Sequence, residues 1–192
     1  MRLEFYRRIN FHRGFTLVEI GIVTAIVSII VGLSIAKTPA LLLNYRVSGE
    51  TTELPQVVSN IQKIYFNSAS YSGVVLDAII RYDAFPENRV TIPSAGAATA
   101  TNRWGGAITF AAGTINSVGD IGRFVYSSVP QADCKAVILN VAPGFRRIYV
   151  DSSNSASVGA GVVVKADSAV IDLVALGSAC GNLNSITYDF AK

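Results

Sequence analysis

Histidine is almost absent from this chain. Among 192 residues only His12 carries an imidazole, and it lies in a basic stretch near the N-terminus. Everything from Arg13 onward lacks the side chain that acts as general base in Ser-His-Asp and Cys-His catalysis. Cysteine is scarce too: Cys134 and Cys180 stand alone, at a spacing unlike a zinc-ligand pattern. No Walker or dinucleotide glycine pattern sits between a strand and a helix. Asp77, Asp83 and Glu87 flank a helix end and read as a solvated face. Asp167 and Asp172 lack the oxygen-rich loop of a calcium hand. The sequence points away from an enzyme and asks for no metal and no cofactor.

Charge is missing where it matters most. From Phe15 to Ala36 only Glu19 ionises. At about 1.5 Å per residue, a helix over this run is roughly 33 Å long, enough to cross a bilayer core. Ile, Val and Leu surround it, so the helix belongs in lipid or inside an assembly. Ahead of it, Arg2, Arg7, Arg8 and Arg13 stand against Glu4. That basic block holds the N-terminus on the cytoplasmic side and sends the rest outward. A carboxylate in hydrocarbon costs roughly 2.5–3.5 kcal/mol on insertion scales, so Glu19 calls for a partner. The run contains no Lys, Arg or His. The partner comes from another molecule, or from an amine made by cutting the chain between Gly14 and Phe15.

Two plainer readings compete. One is an ordinary secretory signal, with Ser34-Ile35-Ala36 as the cleavage site before Lys37. The apolar run is longer than such a signal needs and carries a carboxylate near its start. The other is an uncleaved anchor, which leaves Glu19 unexplained.

Gly14-Phe15-Thr16-Leu17-Val18-Glu19, with its basic leader and apolar run, resembles the processing site of type IV prepilins and the related pseudopilins. The resemblance implies a leader of residues 1–14, removed after Gly14 by a prepilin peptidase. It also implies N-methylation of Phe15 and a role for Glu19 as the assembly carboxylate. Glu19 would meet the methylated amine of a neighbouring copy and set the axial register. The implied partners are further copies of the chain, the peptidase, the membrane and the inner-membrane pilus assembly machinery. The implied location is the bacterial inner membrane, head in the periplasm, and then an extracellular pilus.

Once the leader is set aside, the chain holds twelve basic and twelve acidic side chains. Such balance gives no reason for a nucleic-acid groove. Cys134 and Cys180 follow the membrane segment into an oxidising compartment, where a pair reads most simply as a disulfide. Two buried free thiols are the alternative.

The fold class expected is α+β: a long N-terminal helix over residues 15–67, with 15–36 as its membrane or filament part, and a head over 68–192. In the pilin fold that the resemblance implies, such a helix packs on an antiparallel sheet. Pro39 should bend or interrupt the helix, with Gly49 and Pro55 as further weak points. Val57, Val58, Ile61, Ile64 and Tyr65 recur at helical spacing. A second helix is predicted over Val74–Tyr82, ended by Phe85-Pro86, and then a loop over Ser94–Asn102 too poor in apolar bulk for the core. Strands are predicted at Ala107–Ala111, Arg123–Ser127, Arg147–Asp151, Gly161–Lys165, Ala169–Leu173 and Ser185–Phe190. A short helix over Pro130–Asn140, capped by Ser128, places Cys134 on a helix and Cys180 in the loop before the last strand. Asp151–Gly161 reads as a surface hairpin or loop. Trp104 reads as a plug at a sheet edge, with an exposed binding aromatic as the alternative. Arg81, Arg89, Arg146 and Arg147 read as solvated charges or intersubunit partners.

Asn102-Arg103-Trp104-Gly105-Gly106-Ala107-Ile108-Thr109, the cysteine pair and the closing strand resemble the type IVb pilins of thin, conjugation-linked pili. The leader is shorter than is common among those proteins. The expected function is that of a pilin subunit serving adhesion or mating contact. The alternatives are a minor pilin or secretion pseudopilin, or a tethered binding domain that does not polymerise.

Overall fold

The computed structural model describes residues 15–154 and 161–192, without the side chains of 36–39. Two units follow one another along the chain, dividing after Leu41. Helix α1, Leu17–Ile64, contributes to both. In the first unit, Leu17–Ile35 has a mean hydropathy of 2.4 and no buried residue, and is long and apolar enough to cross a membrane. Helix α1 runs on through Pro39, so the expected interruption there does not occur.

The second unit is built on a seven-stranded antiparallel sheet. Its strands are β1 (Val90–Thr91), β2 (Thr99–Thr101), β3 (Ala107–Thr114), β4 (Val118–Pro130), β5 (Arg147–Asp151), β6 (Val162–Lys165) and β7 (Leu183–Ala191). The spatial order is β1-β2-β3-β4-β7-β5-β6, so the last strand inserts between β4 and β5. Alternation sorts its side chains. Phe124 and Tyr126 of β4 and Ile186, Tyr188 and Phe190 of β7 enter the core, while Arg123 and Asp189, paired across the same strands, belong to the opposite face. The C-terminal part of α1 supplies Leu54, Val57, Val58 and Ile61 to that core. Each such buried side chain contributes about 1.5–3 kcal/mol. Gly49 and Pro55 lie within α1 and do not end it.

Three short helices complete the core: α2 (Leu76–Arg81), α3 (Gln131–Val141) and α4 (Leu173–Ala179). Helix α2 is shorter than the predicted Val74–Tyr82, because Val75 is extended and serves as its N-cap. Its end comes before Phe85-Pro86. Asp83 adopts a left-handed φ of 56°, and the N–H groups of Asp83 and Ala84 donate back to Ile80 and Ile79, the hydrogen bonds of a Schellman motif.

Other expectations are corrected. Thr99–Thr101 is a strand rather than loop, and Ala98 and Ala100 are buried. Alanine is small enough to fit where the sheet passes α2, so low apolar bulk did not mean exposure. Ser128 does not cap α3: it has a positive φ within β4, and Pro130 is the N-cap. Ala169–Leu173 is not a strand. Asp172 accepts hydrogen bonds from the N–H groups of Val174 and Ala175, both at 2.9 Å, and starts α4 there. Strand β5 has the predicted bounds, and β3, β4 and β7 are longer than predicted. The pairing of β5 with β6 makes Asp151–Gly161 a hairpin connection; residues 155–160 of it lie outside the described residues.

Candidate functional site

The residues singled out at the start of α1 sit at an exposed, capped helix end. Thr16 is the cap: its Oγ1 accepts from the Glu19 N–H at 3.2 Å, and its carbonyl accepts from the Ile20 N–H at 3.2 Å. Glu19 therefore lies in the first turn, where the positive end of the helix dipole favours a carboxylate. Further along, the hydroxyls of Thr24 and Ser28 donate to carbonyls of Ile20 and Thr24, one turn back. These hydroxyls are satisfied within the helix. Phe15 is exposed and Gly14 lies outside the described residues.

Within the second unit, two carboxylates of α1 hold the segment that follows α2. The Arg89 guanidinium donates to Glu50 at 3.1 Å and to Glu53 at 2.5 Å, and its Nε donates to the Thr101 carbonyl at 2.6 Å. Arg103 also pairs with Glu53, its N–H reaches Glu50 at 3.3 Å, and its guanidinium stacks over Tyr45. Gly49 makes room for this: a Cβ there would lie 2.2 Å from the Arg103 guanidinium carbon. Glu50 is 1% exposed. Burial pushes its carboxyl up from the ordinary range, against the opposing pull of Arg89 and the Arg103 N–H.

The 102–106 segment forms a loop around one amide. Asn102 Oδ1 accepts from the N–H groups of Trp104 (3.0 Å) and Gly106 (2.9 Å), while its Nδ2 donates to the Ser127 carbonyl at 2.6 Å. Gly105 has a φ of 80°, and a Cβ on Gly106 would lie 1.9 Å from the Ser127 oxygen. Trp104 packs half-buried against the core, and its indole N–H donates to the buried Asp133 carboxylate of α3. Helix α3 also carries Cys134, whose Sγ is bonded to that of Cys180, the residue capping α4.

The four arginines read as solvated or intersubunit charges are instead used within the subunit. Arg81 pairs with Asp77, Arg89 with Glu50 and Glu53, Arg146 with Asp167, and Arg147 with Asp189. Asp189 is fully buried and pairs with Arg123 as well. Asp77 is more than a solvated charge, since it also accepts the Ala98 N–H at 2.6 Å and so holds the chain before β2. Asp167 and Asp172 are occupied by Arg146 and by the α4 cap. Among the described residues no three His, Cys, Asp or Glu side chains are grouped to hold a metal ion. Sequence reasoning missed the Glu50–Glu53 clasp and the Asn102 hub. The signal for the clasp was there: two acids at i, i+3 on an otherwise core-facing helix.

Comparison with known proteins places this geometry. The family model described as PilS N terminal matches residues 44–188. No curated protein sequence matches. The crystal structure of the type IVb pilin from Salmonella typhi superposes with a TM-score of 0.55 at 19% identity, over 76% of this chain and 99% of that chain. The NMR structure of the type IVb pilin PilS from Salmonella typhi gives 0.47 at 18% identity, over 76% and 96% of the two chains. TcpA, a type IV pilin from Vibrio cholerae El Tor, gives 0.47 at 14%, over 75% and 99%. An exposed apolar helix that continues into a helix packed on an antiparallel sheet, with the family match across the head, leads to one conclusion: the chain belongs to the PilS N-terminal family of pilins.

Proposed function

We propose that this pilin is made in the inner membrane, cut after Gly14, methylated on Phe15, and polymerised through α1 into an extracellular type IVb pilus for adhesion or conjugative contact. The observation that carries this reading is the stretch Leu17–Ile35, none of it buried, with Glu19 as its lone ionisable group. Such a surface is satisfied by lipid before assembly and by neighbouring helices after it. Apolar burial supplies most of the assembly energy. The pairing of Glu19 with a neighbour's amine sets register, because a buried charge is tolerated only beside its counter-charge. The head stays outside the membrane, where Cys134 and Cys180 are oxidised.

The test is the intact mass and N-terminal sequence of the protein from cells with and without active prepilin peptidase. Loss of residues 1–14 together with one added methyl group, only when the peptidase is active, supports the reading. A chain beginning at Lys37 sinks it, since Glu19 would then be discarded.

A further inference from the structure

We propose that the groove beside Asp83 and Glu87 receives Lys135 of a second copy of this chain, as a contact between heads. The inference rests on the polymer reading above and specifies one of its contacts. It starts from how the head's charges are used. Glu50, Glu53, Asp77, Asp167 and Asp189 are all in ion pairs within the subunit. Asp120 accepts from the N–H groups of Ile115, Asn116 and Ser117. Asp133 holds Trp104, and Asp172 caps α4. Asp151 accepts from Ser153. Among the described head residues, Asp83 and Glu87 remain as carboxylates with no internal partner.

They are also close in sequence, at either end of Asp83-Ala84-Phe85-Pro86-Glu87. Asp83 lines a groove of about 260 Å³ with Glu53, Gln56 and Asn60 of α1 and Phe85 and Pro86, and Glu87 follows directly. The groove has an apolar floor, a polar rim and a surplus of negative charge, which suits a long side chain ending in a cation.

On the cationic side, Arg81, Arg89, Arg103, Arg123, Arg146 and Arg147 are paired within the subunit. Lys165 donates to the Ala142 and Phe145 carbonyls. Arg46, Lys63, Lys135 and Lys192 are left. Arg46 and Lys63 belong to α1, the helix that lines the groove, and Lys192 lies beside Gln62 of the same helix and Phe66 just after its end. A copy presenting any of these would bring its own groove toward its neighbour's, and such self-complementary contacts close as pairs. Lys135 is on α3, which packs on β4 and β7, inside the sheet and away from its β1 edge. Its place on a different element allows a heterologous contact, with a groove free on one side and a lysine free on the other, of the kind that repeats along a filament. Each partner surface has an exposed apolar neighbour: Tyr82 beside Asp83, and Leu139 one turn from Lys135.

Charge reversal in the full-length chain, expressed with its assembly machinery, tests this. Asp83→Lys with Glu87→Lys, and Lys135→Glu alone, are each expected to lower the yield of sheared filaments about tenfold or more, as like charges meet. Combining all three is expected to restore it. Membrane-fraction protein with an intact Cys134–Cys180 bond checks that each variant folds. Asp83→Asn with Glu87→Gln, milder for the fold, is expected to lower the yield less but in the same direction. Unchanged yield from the single-side reversals, or failure of the combination to rescue folded variants, overturns the contact while wild-type filaments keep the pilin reading intact. Rescue by reversing Arg46 or Lys63 instead of Lys135 also overturns it. Absence of filaments from the wild-type chain counts against the polymer reading itself.

Discussion

Asp189 shows how tightly individual charges are used in the head. Its carboxylate has no exposure and accepts from Arg123 Nη2 at 2.7 Å and Arg147 Nε at 3.0 Å. Removing it leaves two guanidiniums facing each other across β4, β7 and β5. Asp189→Ala should therefore destabilise the folded head by about 3–5 kcal/mol, the cost of breaking a buried pair from one side. Chemical denaturation of the full chain in detergent, read by the single tryptophan, measures it. Glu50 behaves with the opposite sign to a salt-bridged surface acid. Its carboxyl is raised by burial, so the folded chain holds the proton more tightly than the unfolded one. Its contribution is greatest below the ordinary value of 4.5 and is lost as the pH rises through the folded value. The stability of the natural chain relative to Glu50→Gln should accordingly grow as the pH falls from 7 toward 4. A difference that shrinks over that range would show that Arg89 outweighs burial.

At the scale of elements, the 102–106 loop joins β2 to β3 through one buried side chain. Asn102→Ala strands the N–H groups of Trp104 and Gly106 and the Ser127 carbonyl. The expected loss is about 1–3 kcal/mol, with faster hydrogen exchange at residues 99–109 than at β5. Uniform exchange across the sheet would contradict that local role. Elements were legible where a pattern acts alone. The alternation in β5 and the helical spacing of Val57, Val58 and Ile61 reported their burial directly, and the long apolar run reported the exposed apolar stretch of α1. They were obscured where a small or polar residue has a tertiary purpose. Ala98 and Ala100 are buried because they are small. Ser128 looked like a cap but takes a left-handed turn inside β4. Asp172, read only for charge, is the cap that turns a predicted strand into α4.

For the whole molecule, the disulfide links α3 to the end of α4, across 46 positions of chain. Loop-entropy reasoning assigns such a closure about 4 kcal/mol. Cys134→Ser with Cys180→Ser should lower the denaturation midpoint of the head accordingly, with the larger effect on α3 and α4 by hydrogen exchange. The apolar N-terminal helix and the α+β class could be read from sequence because they depend on long runs and local patterns. The sheet order could not, because placing β7 between β4 and β5 depends on contacts far apart in the chain. The arginine partners were hidden for the same reason.

On the function proposed above, Glu19 has its purpose in the polymer rather than in the single chain. The most direct test of that purpose compares the natural chain with Glu19→Ala in cells carrying the assembly machinery. Two quantities are measured: the mass of the processed protein in the membrane and the filaments released by shear. Normal removal of residues 1–14 with filaments lost from the variant is the expected result. Filaments from Glu19→Ala at the natural yield would contradict it.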